Sequence, residues 1–238
     1  MPVAENVRRI REEMAAAACA SGRNPEEISL MAVTKGVAPD RIREAWQAGI
    51  RLFGENRVQE FIPKLPLLGG LEGVRWHLIG HLQSNKALRA LELFEAVDSL
   101  DSVRLARKLE RAAAGRGIKI PVLIEINIGR EAGKSGLAAD SPELAELLRL
   151  APELPALEIR GLMAVPPFAD DPEQSRPYFR EMRGLFCDIQ QRKLPAVRLE
   201  VLSMGMSQDF RVAIGEGATC VRIGTAIFGE RKAMGSER

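Results

Sequence analysis

The chain has 238 residues, 46% of them hydrophobic and 28% charged, with a formal net charge of +2. That length suits one large domain or two small ones, and the apolar share is enough for a substantial core. The near balance of charge argues against a dedicated nucleic-acid surface, which needs clustered Lys and Arg.

A helix is predicted first, over roughly 4–20. This segment, MPVAENVRRIREEMAAAACA, is not a signal peptide, because its charges fall where the apolar core of a signal would lie. Short apolar or β-branched runs then recur at ISLMAVTK (28–35), RLFGEN (51–56), WHLIGHL (76–82), LFEAVDSL (93–100), VLIEINI (122–128), IRGLMAV (159–165), RLEVLSMG (198–205) and TCVRIGTAIFG (219–229). Between them lie stretches with helical spacing, such as PDRIREAWQAG, SVRLARKLERAAAGRG, SPELAELLRLAP and PEQSRPYFREMRGLFCDIQQRK. Strands alternating with helices mean βα units and a parallel sheet. The caps agree. Asp101 or Ser102 starts one helix, and Gly115 and Gly117 end it. Ser141-Pro142 and Asp171-Pro172 each place a capping side chain before a proline in the first turn.

Eight such units predict a closed (β/α)8 barrel of TIM type, one domain over 1–238, with an extra N-terminal helix. The third and seventh units leave room only for short helices. An open doubly wound sheet is the alternative, but no GxGxxG follows the first strand, so its dinucleotide-binding version has little support. There is no internal repeat beyond the βα unit, no low-complexity segment and no linker. The tail KAMGSER is expected to fray. No run of about 18 apolar residues exists, so no membrane-spanning segment is expected. The three cysteines, Cys19, Cys187 and Cys220, are far apart and form no CxxC pair. A disulfide framework or cysteine zinc site is not expected, and reduced thiols in a cytoplasmic protein are the simple reading.

In a barrel of this type the working groups come from the carboxyl ends of the strands. The first run ends in Thr34-Lys35-Gly36 and the second in Glu55-Asn56-Arg57. The third carries His77 and His81, then Gln83, Ser84 and Asn85. The fifth ends with Asn127, the sixth at Met163 and Pro166, the seventh in Ser203-Met204-Gly205-Met206-Ser207. The eighth contains Arg222, Gly224 and Thr225. Polar groups in such apolar runs cost free energy unless they are paired or hold a ligand. Barrels often bind phosphate with the loops after strands seven and eight. Here Ser203-Met204-Gly205 and Gly224-Thr225 offer backbone N–H groups and hydroxyls, and a helix predicted to start near Ser207 would also favour an anion. These features point to a phosphorylated small molecule. Lys35, directly after LMAVT, would sit in the barrel mouth, where desolvation makes an amine nucleophilic toward carbonyls. By itself an ordinary snorkelling lysine is the simpler reading. Together with a phosphate cradle across the barrel, Lys35 suggests an aldehyde-bearing phosphate, of which pyridoxal phosphate (PLP) is the obvious member.

The segments MAVTKG, FGENRVQE, WHLIGHLQSNK, LSMGMSQDF and VRIGTAIFGER closely resemble the pyridoxal phosphate homeostasis proteins, the small YggS/PROSC-type family. The match runs from about residue 5 to 231, five motifs in the same order. Members resemble the barrel domain of alanine racemases and related amino-acid decarboxylases but lack their second domain. The resemblance implies that Lys35 forms the internal aldimine with PLP and that Arg222 faces the pyridine nitrogen. It implies that Ser203, Gly224 and Thr225 hold the phosphate, and that Asn56, His81 and Met163 line the pocket. The loop INIGREAGKSG also looks like the family's, with Lys134 and Gly136 at its usual lysine and glycine positions.

Arg222 has a chemical consequence. A guanidinium stays protonated and only donates, so it favours an unprotonated ring nitrogen and a weaker electron sink. A racemase of this barrel type sets a tyrosine from a second domain against the lysine. The only tyrosine here is Tyr178, in the predicted helix after the sixth strand, and the chain has no room for that domain. The expected function is therefore to hold PLP as a Schiff base for intracellular PLP homeostasis, without evident turnover. The alternative is a small amino-acid racemase using Lys35 as its one base. A third class is an interaction protein that delivers PLP to apo-enzymes. A monomer is expected, with no nucleic-acid or membrane partner.

Other features have plainer readings. His77 and His81 sit in a strand and a loop with no third ligand evident, so a metal site is not expected. GREAGKS has three residues between Gly129 and Gly133, not the four of a P-loop. Glu55 and Arg57 read as a mutual pair, Met206 as packing, and Cys220 as a small buried apolar residue.

Overall fold

The computed structural model describes residues 2–229. The tail expected to fray, 232–238, lies outside the described residues. Among these, eight parallel strands close into a barrel in chain order. They are β1 (Ser29–Val33), β2 (Leu52–Glu55), β3 (Arg75–Leu78), β4 (Ala96–Leu100), β5 (Ile120–Ile126), β6 (Leu157–Ala164), β7 (Val197–Ser203) and β8 (Cys220–Ile223). The helices are α1 (Val3–Ala20), α2 (Pro39–Gln47), α3 (Val58–Phe61), α4 (Ala87–Leu93), α5 (Val103–Ala114), α6 (Pro142–Leu150), α7 (Arg176–Gln191), α8 (Phe210–Gly215) and α9 (Thr225–Phe228). Pairing of β8 with β1, from Ser29↔Cys220 to Ala32↔Ile223, closes the barrel and excludes an open sheet.

Local chemistry explains the boundaries. Ser102 Oγ accepts from the Leu105 N–H at 3.2 Å and Ser141 Oγ from the Leu144 N–H at 3.2 Å, capping α5 and α6. Asp171 caps a 3-10 turn, Pro172–Ser175, that leads into α7 rather than α7 itself. The third and seventh units do carry short helices, α4 and α8, of 7 and 6 residues. The helix expected near Ser207 begins only at Phe210. Asp209 Oδ1 accepts from the Met206 N–H at 2.6 Å, and this side-chain bond closes 206–209 as a turn.

The extra helix α1 buries Val3, Val7, Ile10, Met14 and Ala18, an i, i+3/i+4 stripe that faces the barrel. It packs on α2, α8 and α9. Buried Asn6 donates from Nδ2 to the Ile227 carbonyl at 2.9 Å, which anchors α9. Most of the core lies between strands and helices. There Phe53 stacks on Trp76 at 4.9 Å between centroids, and Phe61 on Phe94 at 5.0 Å. Inside the barrel, Met31, Leu52 and Cys220 form a smaller apolar plug with Ile79 and Val201. The plug leaves the carboxyl ends of the strands open for a site.

One close approach is testable. β6 shifts register between Ile159 and Gly161, and a Cβ on Gly161 would fall 1.8 Å from the Val201 carbonyl oxygen of β7. Gly161→Ala is expected to destabilise the fold by about 3 kcal/mol, as overpacking against backbone does. Gly184→Ala, on α7 with nothing within 4 Å, is expected to stabilise it by about 1 kcal/mol through helix propensity. Urea unfolding of the two variants checks both signs.

Candidate cofactor site

A cavity of about 780 Å³ opens at the carboxyl ends of the strands, within the range of small-molecule sites. Its wall follows from strand alternation. Val33 and Lys35 share the inward face at the end of β1 and line the cavity. Thr34, between them, belongs to the opposite face. Its hydroxyl donates to Glu55 Oε1 at 2.7 Å and its N–H to the Gly54 carbonyl at 3.0 Å. Lys64 Nζ, reaching in from beyond α3, donates to the Thr34 carbonyl at 2.8 Å and pairs with Glu55 Oε1 at 2.6 Å. Glu55 is fully buried. This cluster ties together, from behind, the two strand ends that carry Lys35 and Asn56. The pairing of Glu55 with Arg57 expected from sequence does not occur. Arg57 turns outward to Glu60 at 3.2 Å, because the 3-10 turn after α3 brings Lys64 to the buried carboxylate instead.

Asn56 lines the cavity, and its Oδ1 is buried without a hydrogen-bond partner. Gly80, after β3, lies so close that a Cβ there would meet the Asn56 carbonyl oxygen at 2.3 Å. His81 follows on the wall, its Nδ1 2.6 Å from Asp101 Oδ2. His77 faces the other way. Its Nδ1 lies 3.1 Å from Asp98 Oδ2, in a separate cavity with Arg75 and Cys220 at the amino ends of the strands. The two histidines therefore do not act together.

Arg222 on β8 is the buried cation of the wall, 4% exposed. It donates from Nη1 to Ser203 Oγ at 2.7 Å and from Nη2 to the Ala164 carbonyl at 2.8 Å. Burial pulls its pKa below the ordinary guanidinium value, against the opposing influence of Cys220 and of the Asp98, Glu125 and Asp209 carboxylates. A guanidinium remains protonated even so. Cys220, in the apolar plug, has its thiol pushed up to about 12, mainly by burial, and behaves as the small buried residue the sequence suggested. Gly224 and Thr225, at the start of α9, complete the wall beside Ser207, whose Oγ accepts from the Ala226 N–H at 3.2 Å.

Of the residues singled out from sequence, Lys35, Asn56, His81, Arg222, Gly224 and Thr225 all meet at this one cavity. Ser203 and Met163 are not part of its wall. Both are buried, and the Ser203 hydroxyl is turned onto Arg222 of the neighbouring strand. Met206, expected as packing, does line the cavity, since the turn at 206–209 faces it. Tyr178 lies away from it on α7, against the core.

Sequence reading passed over Glu125. It lines the cavity two residues before Asn127, and its Oε1 accepts from Ser135 Oγ at 3.3 Å. Burial first, and then Asp101, push its carboxyl up to about 6, against Ser135, Arg222 and His81. A lone carboxylate in the apolar run VLIEINI was the available signal.

The donor set is an amine, a buried guanidinium, a hydroxyl and backbone N–H groups around one cavity. It fits a small anionic carbonyl compound with a phosphate, the kind of molecule PLP is.

The pair behind Lys35 makes a prediction. Lys64→Met leaves Glu55 buried without its cation and is expected to cost about 3 kcal/mol. Adding Glu55→Gln in the same chain should recover most of that loss. A double-mutant cycle by denaturant unfolding measures the coupling.

Comparisons with known proteins agree with this fold. Residues 3–232 match the family model described as alanine racemase, N-terminal domain. The pyridoxal phosphate homeostasis protein of Aquifex aeolicus is 42% identical over 232 residues, 98% of this chain and 100% of its own length. That of Escherichia coli is 42% identical over 233 residues, covering 96% and 97% of the two chains. The structure of PipY from Synechococcus elongatus with PLP bound superposes with a TM-score of 0.82 at 38% identity, over 95% of this chain and all of that one. Alanine racemase from Streptomyces coelicolor shares the fold, with a TM-score of 0.70 at 22% identity, over 96% of this chain but 58% of its own. The chain thus belongs to the pyridoxal phosphate homeostasis protein family, built on the barrel of the alanine racemase N-terminal domain.

Proposed function

We propose that this protein binds PLP in the cavity at the carboxyl ends of its strands, holds it as a Schiff base on Lys35, and serves intracellular PLP homeostasis rather than turnover. The observation that carries this reading is the meeting of Lys35, Arg222, Gly224 and Thr225 at one cavity, while the chain's single tyrosine lies outside it. When bound, PLP supplies an aldehyde that condenses reversibly with amines and a ring that withdraws electrons.

The chain's own residues do the rest. Lys35 provides the amine. Gly224 and Thr225 provide backbone and hydroxyl donors for the phosphate, with Ser207 beside them. Arg222, fixed by Ser203 and the Ala164 carbonyl, presents a group that only donates. Set against the ring nitrogen, it would leave that nitrogen unprotonated and so limit carbanion chemistry. Ser203 and Met163 act from behind the wall, Ser203 through Arg222. Asn56 and His81 line the ring's surroundings, and His81 is oriented by Asp101.

In this reading the whole chain, 1–238, is one PLP-binding barrel domain, a monomer that works in the cytoplasm and hands PLP to apo-enzymes. Among the described residues no helix is long and apolar enough to cross a membrane.

The purified protein with PLP is expected to show an absorbance band that borohydride fixes onto Lys35, located by peptide mapping. Lys35→Ala is expected to lose the band. Solvent deuterium exchange at the α-carbon of amino acids is expected to be negligible. Retention of the band in Lys35→Ala would overturn the lysine assignment, and robust exchange would replace the holding role with a one-base racemase.

A further inference from the structure

Glu125 is a buried ionisable group of the cavity that this function leaves unused. It faces the cavity from β5, with Oε1 bonded to Ser135 and Oε2 buried without a partner. Charged groups face it from each side. His81 after β3, Asp101 after β4 and Arg222 on β8 all act on its charge. Lys35 at the end of β1, Lys134 in the loop after β5 and Asp209 before α8 lie on the same cavity. No salt bridge to Glu125 occurs among the described residues, although a buried guanidinium acts on it from the same wall.

Resting on the reading that PLP occupies this cavity, we propose that Glu125 is a further binding residue for the cofactor, one that takes up a proton when the anionic cofactor enters. Two effects act with the same sign. An added negative charge in a low-dielectric cavity disfavours a neighbouring carboxylate. A ligand that engages Arg222 also draws on the positive charge that now holds Glu125 ionised. The partnerless Oε2 is where the proton is held, and a protonated carboxyl becomes a donor to the ligand's oxygens.

The sign of the pH dependence follows by linkage. Glu125 in the PLP-free protein titrates at about 6. If PLP raises that value, affinity is highest below it and falls as pH rises through the free and then the bound midpoint. Glu125→Gln is neutral throughout and lacks this dependence.

The test compares PLP affinity of the wild-type protein and Glu125→Gln at each pH from about 5 to 7.5. The ratio cancels the cofactor's own ionisations. A rise of one pH unit in the bound midpoint makes the wild-type to variant ratio about sevenfold larger at the acid end. In parallel, the carbon-13 carboxyl resonance of Glu125 is followed in wild-type protein with and without PLP, so the result does not depend on the variant folding. A rising ratio with an upward-moving midpoint supports the proposal. A flat ratio, or a midpoint that PLP does not move, overturns it while leaving PLP binding intact. A wild-type protein that forms no Lys35-dependent complex with PLP at any pH overturns the binding function itself, and the Glu125 role with it.

Discussion

The mouth of this barrel depends on the hydrogen-bonded ladder between its last strand and its first. The register Met31↔Arg222 and Ala32↔Ile223 sets β8 beside β1. Strand alternation then gives Met31, Val33 and Lys35 one face, and Cys220 and Arg222 the same face next to it. An amine and a guanidinium nearly the whole chain apart in sequence thereby share one wall. The closure is buttressed from outside. α1 covers α8 and α9, and Asn6 holds the Ile227 carbonyl at 2.9 Å. The extra N-terminal helix thus fixes the turn that carries Gly224 and Thr225.

Charge is handled differently on the two sides of that wall. Behind it, Glu55 is fully buried but directly paired with Lys64 and bonded to Thr34. The pair leaves little net field and locks two strand ends together. On the cavity side, Arg222 bonds, among the described residues, to neutral acceptors, Ser203 Oγ and the Ala164 carbonyl. Its compensating carboxylates act at longer range, and burial lowers its pKa. A buried cation without a direct counter-ion is costly, and a cavity that keeps one is pre-arranged for an anion. The ion pair supplies rigidity, while the buried guanidinium sets positive charge on the cavity wall.

The fold was legible because it rests on alternation. Eight apolar runs separated by helical spacing specify eight βα units, and the caps at Ser102 and Ser141 mark helix starts that the backbone then obeys. Lys35 and Arg222 were legible because strand ends face the mouth. The rest depended on geometry that a period of two does not carry. The extra residue at the β5–β6 register shift is Arg160 of β6, so counting along VLIEINI does not say which residue of the next strand stands beside Glu125. Lys64 reaches Glu55 only because a 3-10 turn folds it back, which hid the pair from sequence spacing. The family resemblance implies Ser203 as a phosphate residue. Its hydroxyl accepts from Arg222 in this structure, and the turn closed by Asp209 brings Ser207 to the wall.

The same geometry favours storage over catalysis. Proton shuttling across a bound ring needs opposed bases on its two faces, and Tyr178 packs against the core on α7 rather than into the cavity. A guanidinium donates without accepting, so a ring nitrogen set against Arg222 would keep its lone pair unprotonated. The rim is also open to solvent. The His81 side chain is 57% exposed, and Phe168, on the same wall, is 74% exposed. Catalysis on reactive carbanions gains from shutting water out, whereas a wet rim would give an incoming amine direct access to an aldehyde held there. A deep, rigid floor beneath an open rim would suit holding a ligand firmly and releasing it by exchange.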